Sequence, residues 1–300
     1  MSEPTLAGEN ELAGVVALIK GEQAVPERHI PYLGDQPDGI LAELDELATP
    51  WASFLRVGRD GDGEVAAAAF ADIDEEMGRA WIHGPWVRGD DDQWTRWARP
   101  LIDAVADSLP SVIDDFELTG DARNVRLSAL ATEMGYRSSE VNWVYTLALE
   151  RDATATWPGP TDRVRVRRAT AGDAEDLATL HDAEFPATYL TVDRMLSEAV
   201  DGDRTALVAV DASGRVVGYA TGEVQPDGSG YIDFLAVDEA ARGGGVGPAL
   251  VAALVQALRP SITAEAVHLT VQDHRAPARA LYGKLGFHQG IGIVGYRRRR

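Results

Sequence analysis

The 300-residue chain contains no cysteine, which excludes a disulfide framework, a thiolate zinc site and a catalytic thiol. A reducing, cytoplasmic setting is therefore expected. Basic charge is also scarce. Lys and Arg number 28 against 48 Asp and Glu, for a formal charge of −20, and Lys20 and Lys284 are the sole lysines. A field of that sign repels a phosphate backbone, so nucleic acid is not an expected partner. No apolar run approaches the roughly 20 residues of a membrane span. The first thirty residues lack a basic head followed by an apolar stretch, so neither a membrane nor a secretory leader is expected. His268, His274 and His288 do not fall at metal-ligand spacing, and no metal is expected. What the chain does have is 45% hydrophobic residues, enough for a real core, and a length that fits two domains.

Charge is unevenly shared. Residues 1–150 hold 29 acidic and 11 basic side chains, residues 151–300 hold 19 and 17, so the second half is the better host for an anion. Between Arg151 and Asp162 a stretch rich in proline, glycine and threonine reads as a linker. Across it the chain repeats itself. GEVAAAAFA from Gly63 matches GRVVGYATG from Gly214, WIHGPWV from Trp81 matches YIDFLAV from Tyr231, and MGYR from Met134 matches LGFH from Leu285. Three ordered matches at an offset of 150 or 151 residues point to two copies of one unit. The expected division is residues 1–152, a linker at 153–162, and residues 163–300.

Within the second copy, VRVRRA from Val164 alternates as a strand. A helix is expected after Gly172, with Asp173 as its N-cap, and a second from Thr191. Three strands follow as a meander, ending in YIDFLAV, whose alternation sets Asp233 on the face opposite Ile232 and Phe234. The apolar positions Val246, Leu250, Val251, Leu254, Val255 and Leu258 mark a helix with one buried face. A strand HLTVQ, a helix PARALYGKL and a last strand IGIVGYR complete the copy.

The segment DEAARGGGVGPAL joins a strand to the start of a helix. Free N–H groups of a first helical turn, at the positive end of the helix dipole, form an anion site. Gly243, Gly244, Gly245 and Gly247 let a backbone wrap a diphosphate closely, and Arg242 adds a full charge at the mouth. A P-loop requires Gly-Lys-Ser/Thr, absent here. A dinucleotide fingerprint opens a parallel βαβ unit, whereas this loop follows a meander.

The pattern Arg242-x-x-Gly245-x-Gly247, after a strand and opening a helix, resembles the pyrophosphate signature of the GNAT family of N-acetyltransferases. The segment ALYGKLGF, from Ala280 to Phe287, is similar to that family's LYxKLGF. The resemblance covers about residues 163–300 and, more weakly, the first half. It implies an α/β (α+β) architecture of two tandem domains, each a mixed, mostly antiparallel sheet flanked by helices. It also implies acetyl-CoA as acyl donor, with Leu235, Ala236 and Val237 along its pantetheine arm and Arg242, Gly243, Gly244, Gly245, Val246 and Gly247 at its pyrophosphate. Tyr282 matches the family tyrosine near the coenzyme sulfur. Arg275 stands where the family often has asparagine, and an arginine there can pair with a coenzyme phosphate.

Amine attack on a thioester requires a neutral amine, a polarised carbonyl and a leaving thiolate that can be protonated. A phenol with a pKa of about 10 can donate that proton, which makes Tyr282 the candidate acid. Asp233 and Glu223 are the candidate bases, either directly or through water, with Asp233 preferred. The first copy has Asp90, Asp91 and Asp92 in place of the glycines and Ala131 in place of the tyrosine, so it reads as a silent relative. The resulting expectation is an N-acetyltransferase passing an acetyl group to a small primary amine by direct attack in a ternary complex. The acidic first half favours a cationic acceptor. Two alternatives stay open: an enzyme similar to mycothiol synthase, which also pairs two such units and acetylates an aminosugar conjugate, and a non-catalytic acyl-CoA-binding sensor.

Overall fold

A computed structural model describes residues 3–31, 49–149, 163–186, 190–202 and 204–300, together with 40, 44, 47, 157 and 188. The chain divides into two compact units, 1–142 with 291–300, and 143–290. The expected split at residue 152 thus meets a strand exchange. The strand β7 (Asn142–Ala148), from the first half of the sequence, lies all but its first residue in the second unit. The last strand, β13 (His288–Arg299), leaves the second unit after Gly290 and finishes in the first. Local alternation makes each segment a strand, but which sheet it joins is a long-range matter that alternation does not encode. The expected linker at 153–162 lies outside the described residues, Trp157 excepted. Its indole N–H donates to the Leu285 carbonyl at 3.0 Å and its ring stacks on Phe287.

The first unit contains β1 (Thr5–Leu6), α1 (Leu12–Gln23), β2 (Arg56–Arg59), β3 (Val65–Asp74), β4 (Arg79–Val87), α2 (Asp91–Ser108), β5 (Asp115–Asp121), α3 (Val125–Glu133) and β6 (Arg137–Ser138). Its sheet runs β1-β2-β3-β4-β5 and closes on the end of β13, which pairs antiparallel with β5. Trp86 and Trp97 are fully buried in its core. The terminal arginines serve this sheet: Arg297 ion-pairs with Asp115 and holds that carboxyl below its ordinary range.

The second unit contributes β8 (Val164–Arg168), α4 (Ala174–Glu184), α5 (Val192–Asp201), β9 (Thr205–Asp211), β10 (Val216–Val224), β11 (Gly230–Val237), α6 (Val246–Leu258), β12 (Ala266–Gln272) and α7 (Ala276–Lys284). Its sheet order is β7-β12-β11-β10-β9-β8, antiparallel through β8 to β11 and parallel between β11 and β12. Residues of α6 and α7 pack one core cluster with Ile232, Leu269 and Val271, while Leu177 and Met195 of α4 and α5 pack another with Phe234 and Ala236. Asp173 is the N-cap residue of α4, as expected, but its side chain makes no capping bond to that helix. Its carboxylate takes a bidentate bond from Arg167 and accepts from the Thr170 amide and hydroxyl.

Two irregularities in this sheet matter for function. Between β10 and β11 the pairing advances one residue on β10, from Thr221 to Gly222, but two on β11, from Phe234 to Ile232, so Asp233 is the extra residue of a β-bulge. The bulge overturns the expected alternation. Ile232, Leu235 and Val237 pack with the α6 cluster, whereas Phe234 and Ala236 pack with α4 and α5. Second, the parallel pairing of β11 with β12 spans only Gly230–Ile232 and Val267–Leu269. Beyond it, β11 keeps β10 on one side and parts from β12 on the other.

Candidate active site

The parted edge of β11 leads into the glycine loop. Asp238 turns the chain by accepting from the Ala240 amide at 2.9 Å. Gly243 and Gly245 then adopt positive φ angles of 74° and 81°, a region that an L side chain enters only with strain. Gly245 is the N-cap of α6, and no side chain caps that helix. Val246 turns its side chain into the core at 3% exposure and Gly247 has none, so no long side chain covers the start of the helix; Pro248, in the same turn, is half-buried and has no amide hydrogen to offer. A Cβ on Gly247 would lie 3.3 Å from Leu281, so a side chain there would crowd the cradle. These residues fit a diphosphate: amide donors, the positive end of a 13-residue helix, and nothing bulky in the way. Beside the loop, a cavity of about 210 Å³ is lined by Arg163, Arg215, Arg242, Gly244 and Asp211, among others.

The matching helix of the first unit behaves differently. At the N-terminus of α2, the Asp90 carboxylate accepts from the Gln93 amide at 3.1 Å, so the chain supplies its own anion there. Ala131 is buried where the second unit has its tyrosine, and Asn124, matching Arg275, caps α3 through the Leu127 amide at 3.0 Å.

The arginines of the second unit are engaged. Arg242 donates its Nε–H to the Val237 carbonyl at 3.0 Å and ion-pairs with Glu184. Arg275, the N-cap residue of α7, donates to Gln272 at 3.0 Å and to the Glu184 carbonyl at 2.8 Å, and its guanidinium lies 5.1 Å from the Phe185 ring centroid.

Tyr282 lies in α7 at 7% exposure, with Tyr145 and Phe287 against its ring. Burial pushes its phenol well above the ordinary value, with nearby Arg275 opposing and Tyr231 adding to the rise. It is therefore a protonated phenol rather than a phenolate at neutral pH. Tyr231 on β11 was missed in the sequence. Its hydroxyl meets Thr270 of β12 at 3.1 Å, and burial raises its pKa too, reinforced by Asp233 and Glu223. Tyr231 thus feels both carboxylates and Tyr282, linking the candidate bases to the candidate acid.

Both candidate bases converge on a residue the sequence reading also passed over. Arg204 ion-pairs with Asp233, with Glu223 at 2.7 Å and with Glu198 of α5 at 2.8 Å. Burial opposes its charge but is outweighed by these carboxylates, so its pKa rises. The Asp233 side chain is 2% exposed and that of Glu223 33%, so a solute reaches Glu223 first. As the sole basic residue in the acid-rich stretch 198–211, Arg204 offered a faint signal.

Parted parallel strands, an uncapped glycine-rich helix start and a buried phenol thus lie together in the second unit. Residues 174–287 match the family model of the acetyltransferase (GNAT) family. A mycothiol acetyltransferase of Actinosynnema mirum is 30% identical over 276 residues, covering 89% of this chain and 78% of that protein. One from Salinispora arenicola is 32% identical over 185 residues, which span 57% of this chain and 59% of the relative. Among solved structures, a GCN5-related N-acetyltransferase from Sphaerobacter thermophilus superposes with a TM-score of 0.70 at 20% identity, covering 99% of this chain and 95% of that one. A tandem GNAT protein from the clavulanic acid biosynthesis pathway gives 0.62 at 17% identity, covering 99% and 97%. The chain belongs to the GNAT family of acetyltransferases. Among the described residues, no helix is long and apolar enough to cross a membrane, and no cluster of three His, Asp or Glu side chains is disposed to hold a metal ion.

Proposed function

We propose that the protein is an acetyl-CoA-dependent N-acetyltransferase whose acceptor is a small primary amine. The single observation that carries this reading is the uncapped, glycine-rich start of α6 beside Arg242, at the end of a strand that has parted from its neighbour. Amides of the 243–247 loop, with Arg242 and Arg275, would hold the diphosphate, and the free edge of Leu235, Ala236 and Val237 would line the pantetheine arm. The donor supplies an activated acyl group: the amine nitrogen forms a bond to its carbonyl carbon as the carbon–sulfur bond breaks. Tyr282, kept protonated by burial, donates to the departing sulfur. Glu223, the more exposed carboxylate on Arg204, receives the ammonium or takes its proton through water, while Asp233 holds Arg204 in place. The acidic first half draws a cationic acceptor.

A narrower reading has the acceptor as an aminosugar conjugate, as for a mycothiol acetyltransferase. Its support is a match to the Actinosynnema mirum enzyme that runs through both halves of the chain. Free thiol released from acetyl-CoA, measured across a panel of polyamines, aminosugars and their conjugates, tests both. Turnover with aminosugar conjugates alone selects the narrower reading. Tight coenzyme binding without turnover on any amine makes the protein an acyl-CoA sensor.

A further inference from the structure

We propose that Glu184 is an internal counter-ion that occupies the donor's arginines and must be expelled before the diphosphate can settle, making the end of α4 a gate on donor entry. The inference rests on the donor reading above. Glu184 is the last residue of α4. One carboxylate oxygen ion-pairs with Arg242 and the other lies 3.5 Å from Arg275, while its main-chain carbonyl accepts from Arg275 at 2.8 Å. The two arginines come from different elements, the loop before α6 and the start of α7, and a two-oxygen anion bridges them. No other role for Glu184 in the fold's core follows from its position, since its side chain is 30% exposed.

Charge makes Glu184 and the diphosphate mutually exclusive. Two guanidinium groups and one carboxylate leave a net charge of about +1, which a diphosphate of about −2 would drive negative; with Glu184 released to water the same pair is neutralised. Expulsion also moves more than one side chain. Phe185 follows directly in sequence, lies beneath Arg275 and meets Phe234 edge-on at 4.9 Å. Phe234 adjoins the bulge residue Asp233. A path of contacts thus runs from Glu184 to the strand that carries Asp233.

Calorimetric titration of CoA into the full chain and into Glu184→Gln tests the gate. The expected result is a Kd three- to tenfold lower for the variant. Hydrogen exchange of the wild-type amides at Ala183, Glu184 and Phe185 is expected to quicken when CoA is added, and this readout stands even if the variant fails to fold. An equal or higher Kd for Glu184→Gln, or wild-type amides that become protected, overturns the gate and leaves the donor reading intact. Wild-type protein that takes up no CoA at millimolar concentration overturns the donor reading and the gate with it.

Discussion

Replacing Tyr282 by phenylalanine removes one hydroxyl and leaves the ring in its place between Tyr145 and Phe287. Because the ring packing persists, the variant is expected to lose under about 1.5 kcal/mol of stability, as for other volume-conserving core changes. A positioned acid contributes about 10²- to 10⁴-fold, so a loss of roughly 100-fold in kcat, near 2.7 kcal/mol, is the floor. Burial holds the phenol above its ordinary pKa of about 10. It therefore keeps its proton across pH 6 to 9, and the loss should be the same at each pH in that range. In the proposed donor site the diphosphate would rest on other residues, so the KM for acetyl-CoA should hardly change. Steady-state thiol release at pH 6.5, 7.5 and 8.5 on purified Tyr282→Phe supplies the numbers. A kcat within threefold of wild type, or a defect confined to KM, would refute the acid role.

Three further predictions follow from the same geometry. Gly245→Glu forces a side chain into a left-handed position and sets a carboxylate over the helix start. CoA binding by calorimetry should fall at least 100-fold, and an unchanged Kd would remove the loop from the donor site. In the first unit, His83 is buried against Phe70, and burial pushes its pKa down to about 4, with Asp72 opposing. The unfolded chain titrates near 6.5, so stability is full above that value and declines as pH falls toward 4. The decline should reach about 2–3 kcal/mol by pH 4.5. Denaturant unfolding of His83→Phe at pH 7 and 4.5 should lack that share of the slope; identical slopes would disprove it. Finally, a truncated chain of residues 153–300 lacks β7, which borders β12 in the second unit. It should melt at least 10 °C below the full chain or fail to fold, and a melt at the full-chain temperature would show that β7 is dispensable.

Much of the candidate site was legible because its signals are local. Glycines between a strand and an apolar helix, and a tyrosine in the short segment ALYGKLGF, lie within a few residues of what they explain. The repeat was legible for the same reason, as ordered matches of short segments. Other features are long-range and leave no composition signature. The bulge at Asp233 inserts a residue without altering the apolar pattern on either side, so strict alternation assigned Phe234 to the wrong face. Arg204 gathers carboxylates 6, 19 and 29 positions away, and Glu184 meets arginines 58 and 91 positions on. Apart from the Glu198 pair, six residues apart, such meetings are set by how distant elements pack, and no short window of sequence contains both partners. Strand exchange was hidden in the same manner: β7 and β13 look like ordinary strands of the halves that encode them.

That exchange bears on what the chain can lose. A chain built from two like copies can ordinarily lose one, since the other remains whole. Here the first half lends a strand to the second unit and takes one back, so a deletion at the midpoint would cut into both.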